Sequence, residues 1–183
     1  MRLIIAQAVG FVGMALVFIA FQQNDRKKIL LVQSVAAVTF VIHFMMLGGY
    51  TGAMMNAVEI ARNLIFRKNL SPKGKTISRW TFIALFAALG LMTWQNVFSL
   101  MPILAMGLST YVFGMDKEKM IRRLSLPVSL LWLTYNVVTR SIPTVATEVF
   151  NITSVVIAMW RFDWRAAPPS SPSPLPPEGT TAR

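Results

Sequence analysis

Seven apolar stretches punctuate the chain, at residues 3–21, 29–47, 53–66, 80–94, 97–114, 122–138 and 143–160, with short polar segments between them. Leu3–Phe21 and Ile29–Leu47 approach the ~20 helical residues that cross a bilayer core. Strict alternation of apolar and polar positions, the mark of a membrane β-barrel, is absent. In hydrocarbon each backbone N–H and C=O must be satisfied within its own segment, so long apolar runs dictate helices. The pattern therefore predicts an all-α integral membrane protein with seven transmembrane helices. The stretches at 53–66 and 80–94 are short, and by length alone could be re-entrant or buried pieces.

Charge placement decides for crossing. With the amino end outside, the cytoplasmic segments carry Arg26, Lys27 and Lys28, then Arg67, Lys68, Lys73, Lys75 and Arg79, then Lys117, Lys119, Arg122 and Arg123, and finally Arg161, Arg165 and Arg183. Only Arg2 and Arg140 fall on the other side, and Arg62 lies within a helix. The loops at 48–52 and 95–96 are uncharged. Positive residues stay on the cytoplasmic side, and seven crossings satisfy that rule where five would not. Leu3–Phe21 is longer than a signal peptide's apolar region and no small-x-small cleavage site follows it, so it is expected to be a retained helix.

Composition agrees with this reading and excludes others. The 183 residues are 55% hydrophobic and 14% charged, against about a quarter charged in a soluble domain. The net charge of +11 is dispersed in loop clusters, as topology requires, so no nucleic-acid partner is expected. Absence of cysteine removes disulfides and thiolate chemistry. Trp80, Trp94, Trp160 and Trp164 flank apolar segments, as interfacial indoles do. Residues 166–183, with six prolines, are expected to form a disordered cytoplasmic tail. The domain organisation is one transmembrane unit over residues 1–162, comprising repeat one (about 3–66), a linker helix (about 80–94) and repeat two (about 97–160).

The repeats superpose at a constant offset of 92 residues. Leu16 then meets Leu108, Phe21 meets Phe113, Lys27 meets Lys119 and Ile60 meets Ile152. Helix starts, loop lengths and basic loops coincide as well. Both triplets begin outside and end inside, so they are parallel copies, and the fourth helix is the extra crossing that parallel orientation demands. The result is a 3+1+3 arrangement, of the kind found in SWEET proteins.

Residues His43-Phe44-Met45-Met46-Leu47-Gly48-Gly49-Tyr50, continuing to Asn56-Ala57-Val58 and Arg62, together with Ala6-Gln7-Ala8-Val9-Gly10 and Asp25-Arg26-Lys27-Lys28, resemble the YgjV family of small bacterial inner-membrane proteins. The resemblance covers most of residues 1–162. It implies residence in the inner (plasma) membrane and distant similarity to the PQ-loop and SWEET group; the charge placement then makes the amino end periplasmic and the carboxyl tail cytoplasmic. SWEET-like transporters carry a hinge proline in the first two helices of each triplet. Here only the second triplet has them, as Pro102 and Pro127, and the first has Gly10 and Val35 instead.

Ionisable residues in hydrocarbon cost about 2.5–3.5 kcal/mol at a helix centre, which makes each a functional candidate. Asn56, Glu59 and Asn63 share one face of the third helix with Arg62 beside it, and Glu148 and Asn151 share one of the seventh. At the 92-residue offset Asn56 meets Glu148 and Glu59 meets Asn151, so each triplet offers one carboxyl and one amide at matching depth. These four residues, with His43, Tyr135 and Asn136, are the substrate-binding candidates. His43, its counterpart Tyr135 and the following Asn136 form an expected polar layer near the outer mouth, and Trp132 could line the same cavity. The structural alternative is that Glu59 neutralises Arg62 or bonds Asn63, with Arg62 reaching toward the headgroups. His43 is either a proton relay or an interhelical bonding group, and a single imidazole makes no metal site. Ala6, Gly10 and Gly13 read as a close-packing stripe.

No phosphate-cradling, serine-nucleophile or zinc signature occurs, so neither enzymatic activity, a metal nor a cofactor is expected. The expected function is that of a permease-like protein with a small polar solute bound between the repeats. The alternative is a non-transporting scaffold or accessory subunit. Membrane lipids are the expected surroundings, and homo-oligomerisation is left open.

Overall fold

The computed structural model describes residues 1–23, 25–112, 118–160 and 163. The tail and the positions Phe113, Lys117, Arg161, Trp164 and Arg165 lie outside them. Seven α-helices run α1 (Arg2–Phe21), α2 (Arg26–Leu47), α3 (Tyr50–Phe66), α4 (Pro72–Met92), α5 (Leu100–Val112, preceded by a 3-10 turn at Val97–Ser99), α6 (Glu118–Val138) and α7 (Ile142–Met159). There is no strand among the described residues. Helices α1, α2 and α7 are long and apolar enough to cross a membrane, with mean hydropathies of 2.5, 2.1 and 1.5. Their outward side chains, among them Ile4, Val12, Val35, Ile42 and Ile157, are large, apolar and exposed. An apolar surface that continuous belongs against lipid.

Helix ends follow local chemistry. Asp25 caps α2 by accepting from the Lys27 amide, and Ser71 caps α4 by accepting from the Gly74 amide, with Pro72 at the first turn. That cap starts α4 eight residues before the apolar stretch begins, so Lys73, Lys75 and Arg79 ride on helix and not in a loop. The expected loop at 48–52 is likewise shorter. Gly48 takes a left-handed φ of 78° and Tyr50 already opens α3. Beyond α7, the Arg122 guanidinium bonds Asp163 at 2.6 Å and holds its carboxyl below the usual aspartate range.

Packing places six helices in a ring. α2 packs between α1 and α3, and α6 between α5 and α7. The two triplets meet twice, α1 against α7 and α3 against α5, while α4 sits outside, on α3 and α5. Exchanging the triplets turns one seam into the other, as a two-fold relation along the membrane normal requires.

The same relation reaches single hydrogen bonds. The turn after α2 closes with Gly48 N donating to Met45 O, Gly49 N to Phe44 O and Ala53 N to Gly49 O. The turn after α6 closes with Arg140 N donating to Val137 O, Ser141 N to Asn136 O and Val145 N to Ser141 O. Every one of these atoms is shifted by 92 residues. Arg140, at the Gly48 position, adopts φ 55°, a conformation that costs a non-glycine residue about 1–2 kcal/mol. A glutamine clamps each turn. Gln95 donates to Gly48 O and accepts from Tyr50 N, and Gln7 donates to Arg140 O and accepts from Ile142 N.

The stripe on α1 is a packing surface. Ala6 is fully buried, a Cβ at Gly10 would strike Pro143 and His43, and one at Gly13 would strike Thr39 and Phe40. Across the ring, Leu30, Met55, Phe66, Phe82, Phe86 and Ile103 form an apolar cluster joining α3 to α4 and α5.

Candidate functional site

A cavity of about 260 Å³ occupies the centre of the ring. It is walled by α1, α2, α3, α5, α6 and α7, and α4 contributes nothing to its lining. Its walls are paired by the repeat: Val17 with Ser109, Ala36 with Val128, Ala37 with Ser129, Phe40 with Trp132, Phe44 with Asn136, Asn56 with Glu148, and Glu59 with Asn151. The cavity therefore lies on the axis that relates the triplets. It extends from the level of Phe44, Asn136 and Thr144 to that of Gln33, Val17 and Arg62.

Of the seven residues singled out from sequence, Asn56, Glu59, Asn136, Glu148 and Asn151 line this space. His43 and Tyr135 are not brought to it. His43 is fully buried behind the wall, with Nδ1 2.6 Å from the Ala6 carbonyl and Nε2 2.6 Å from Ser141 Oγ, which Thr144 also bonds. The Ala6 carbonyl can only accept, so Nδ1 carries the proton in that bond. The Tyr135 hydroxyl accepts from the Gly52 amide at 2.8 Å, an otherwise orphan donor in the first turn of α3. Both side chains are spent tying helices together across the ring, and both lie at the end of the bundle that bears the α2–α3 and α6–α7 turns. Tyr135→Phe should thus cost about 1–3 kcal/mol through the unsatisfied Gly52 amide. A lower midpoint in thermal denaturation of the detergent-solubilised chain, with helix content intact, is the expected reading.

The structural alternative had Arg62 reaching toward the headgroups. It is instead 3% exposed and turned inward. Its Nη2 contacts Glu59 Oε1 at 3.1 Å and Asn63 Oδ1 at 3.2 Å, its Nε bonds Asn63, and its Nη1 donates to Ser109 and Thr110 of α5. The Phe86 ring of α4 lies 5.8 Å from the guanidinium carbon, within cation–π range. The Glu59–Arg62 neutralisation read as the alternative in the sequence is thus present, as is the Asn63 contact to Glu59 at 3.4 Å. Arg62 is thus a wall of the cavity, joined to α5 by hydroxyls 47 and 48 positions away. Gln33, Thr144 and Thr147 also line the space without having been singled out. Polar residues on otherwise apolar helices were the only available signal for them.

The carboxyl on the opposite wall is treated differently. Glu148 has Asn151 Nδ2 at 3.5 Å and Ser129 beside it, and no cation within ion-pair distance among the described residues. The repeat position equivalent to Arg62 is Ser154. The site thus combines a neutralised carboxylate on α3, an un-neutralised one on α7, amides on α3, α6 and α7, and the rings of Phe40, Phe44 and Trp132. No group of three or more metal-ligating side chains occurs among the described residues.

The fold and its central cavity define a polytopic, all-helical membrane protein built from two parallel three-helix units. The chain matches the Imp-YgjV family model, described as bacterial inner membrane protein, over residues 4–166. It belongs to that family and is a bacterial inner-membrane protein. Comparison with curated proteins and with solved structures gives no match.

Proposed function

We propose that the chain is a permease-like protein that binds a small polar solute between its two repeats. What carries the reading is the central cavity, lined pairwise by equivalent residues and holding Asn56, Glu59, Glu148 and Asn151 within otherwise apolar helices. Solute sites in membrane transporters built from repeats lie at the repeat interface near the bilayer midplane. The 3+1+3 order of helices expected from the sequence adds only analogy with SWEET proteins. With the basic loops in the cytoplasm, the amino end is periplasmic. The layer of His43, Tyr135, Gln7 and Gln95 then closes the periplasmic end, leaving the cavity in the remainder of the bundle.

A scaffold or accessory subunit, in which intramembrane polar groups only join helices, accounts for Glu59, Arg62 and Asn63. It does not account for Glu148 and Asn151, which face the cavity with no charge partner.

The test is a thermal-shift screen of the purified protein against sugars, amino acids, nucleosides, organic acids and amines. Val128→Trp, which fills the cavity from α6, serves as the blocked control. A ligand that binds only the native state stabilises it by about 2.7 kcal/mol at a hundredfold excess over Kd. One chemical class should raise the midpoint of the native chain and leave Val128→Trp unmoved. No response from any class, in a cooperatively melting sample, overturns the proposal in favour of the scaffold.

A further inference from the structure

The charges and hydrogen-bonding groups around the cavity select among polar solutes. Glu59 and Arg62 cancel, so the lining charges leave one carboxyl, Glu148, uncompensated. An anionic solute would need a free cationic donor, and Arg62 has turned its nitrogens to Glu59, Asn63, Ser109 and Thr110. Several other lining donors are also turned to protein acceptors, the Gln33 and Asn136 amide nitrogens and the Trp132 indole N–H excepted. Asn56 Nδ2 donates to Gly52 O, Ser109 Oγ to Met106 O, Thr147 Oγ1 to Pro143 O, Thr144 Oγ1 to Ser141, and Asn151 Nδ2 to Glu148. Acceptors are left over. The Glu148 carboxyl, with the Asn151 amide at 3.5 Å and Ser129 beside it, has no cation to meet it among the described residues. Buried charges are nearly always paired, so a carboxylate in a cavity wall with no cation beside it points to a ligand that brings one. The same lining carries the Trp132 indole, stacked on the buried Phe44 ring at 6.3 Å between centroids, and Phe40. Aromatic faces attract cations through their quadrupole, most strongly where water is excluded.

We propose that the solute is a small organic cation, an amine or quaternary ammonium, whose charge is met by the Glu148 carboxylate and whose body rests on the Trp132 indole. This rests on the permease-like reading of the cavity and narrows it to one substrate class. A volume of about 260 Å³ suits a compact ammonium compound. The single uncompensated carboxylate suits one positive charge. Asn56 Oδ1 supplies an acceptor for a hydroxyl or N–H on the same molecule.

The experiment compares choline with 3,3-dimethyl-1-butanol, its neutral carbon isostere, and ethanolamine with 1-propanol, by thermal shift and Trp fluorescence of the wild-type chain. Neutral polyols and acetate complete the panel. The cations should bind and their isosteres should bind at least tenfold more weakly, the scale of one charge-assisted interaction. Glu148→Gln should abolish the preference, Glu148→Asp should keep part of it, and Trp132→Leu should weaken the cation more than the isostere. The isosteric pairs decide the matter on the native chain even where a variant fails to fold. Binding of neutral or anionic solutes in place of the cations overturns the cation assignment and leaves the solute cavity standing. Silence of the whole panel, with the native chain melting cooperatively, overturns both.

Discussion

Glu59→Leu is expected to destabilise the protein by about 3–5 kcal/mol, the cost of stranding a buried charge by removing its partner. The guanidinium left behind is 3% exposed. It would keep Asn63, Ser109 and Thr110 as acceptors but no negative charge. The opposite deletion is milder. Glu59 is 22% exposed where it faces the cavity, and after Arg62→Met its carboxylate retains that access and the Asn63 amide. Glu59→Leu/Arg62→Met removes both charges together and should recover most of the loss, since replacing a buried pair by apolar side chains of similar volume is often neutral. Denaturation in mixed detergent gives the three values. The expected ranking places Glu59→Leu lowest, Arg62→Met next and the double variant nearest the wild type. Equal losses for both single variants, simply adding in the double, would mean that the two residues do not act as a unit. The pair also bears on the site, because its self-neutralisation is what leaves Glu148 as the uncompensated charge of the cavity.

Much of the architecture was legible because membrane insertion writes itself into local sequence. Apolar stretches and basic loops located seven helices without any tertiary information. The 92-residue offset, read from helix starts and loop charges, reappears in the backbone bonds of the turns at Gly48 and Arg140. Arg140 was visible in sequence only as a basic residue on the unexpected side. Its left-handed backbone follows from the repeat, since Gly48 occupies the same turn, and not from any preference of arginine. Helix starts at α3 and α4 were misplaced by several residues because caps, not hydrophobicity, set them. Gln95 receives the Tyr50 amide and Ser71 receives the Gly74 amide, and neither signal is apolar.

The lining of the site was less legible, for a physical reason. Spacing within a helix shows which residues share a face, and so grouped Asn56 with Glu59 and Glu148 with Asn151. It does not show which face meets which neighbour. His43 and Tyr135 carry the right chemistry at equivalent positions, yet each is consumed by a backbone group of another helix. Arg62 looked like a side chain able to reach the headgroups because it lies five residues from the basic loop. Only its α5 partners, Ser109 and Thr110, draw it inward, and nothing in the local sequence announces them.

Gly10 shows how the seam between the triplets is held, and Gly10→Ala is the second large expected effect. The added Cβ would meet the Pro143 ring at the start of α7 and the His43 ring, with Nδ1 only 2.7 Å away. Neither neighbour is the free end of a flexible chain. Proline's ring is fixed to its backbone, and the imidazole is pinned between Ala6 and Ser141. The clash must therefore be relieved by moving α1 away from α2 and α7, at a cost of about 1–3 kcal/mol typical of overpacking. Gly107→Ala provides the contrast on α5, where an added methyl meets nothing within 4 Å. There the exchange should be neutral or stabilising by about 0.5–1 kcal/mol, as alanine is the better helix former. Thermal midpoints moving in opposite directions for the two variants would assign the missing Cβ at Gly10 to contact between the triplets. A fall at both positions would indicate instead that backbone freedom is needed in α1 and α5 alike, at Gly10 and again near Pro102. Because Gly10 aligns with Pro102, the comparison also separates a packed seam from a hinge: a seam loses stability at Gly10 and leaves solute affinity unchanged, and a hinge loses both.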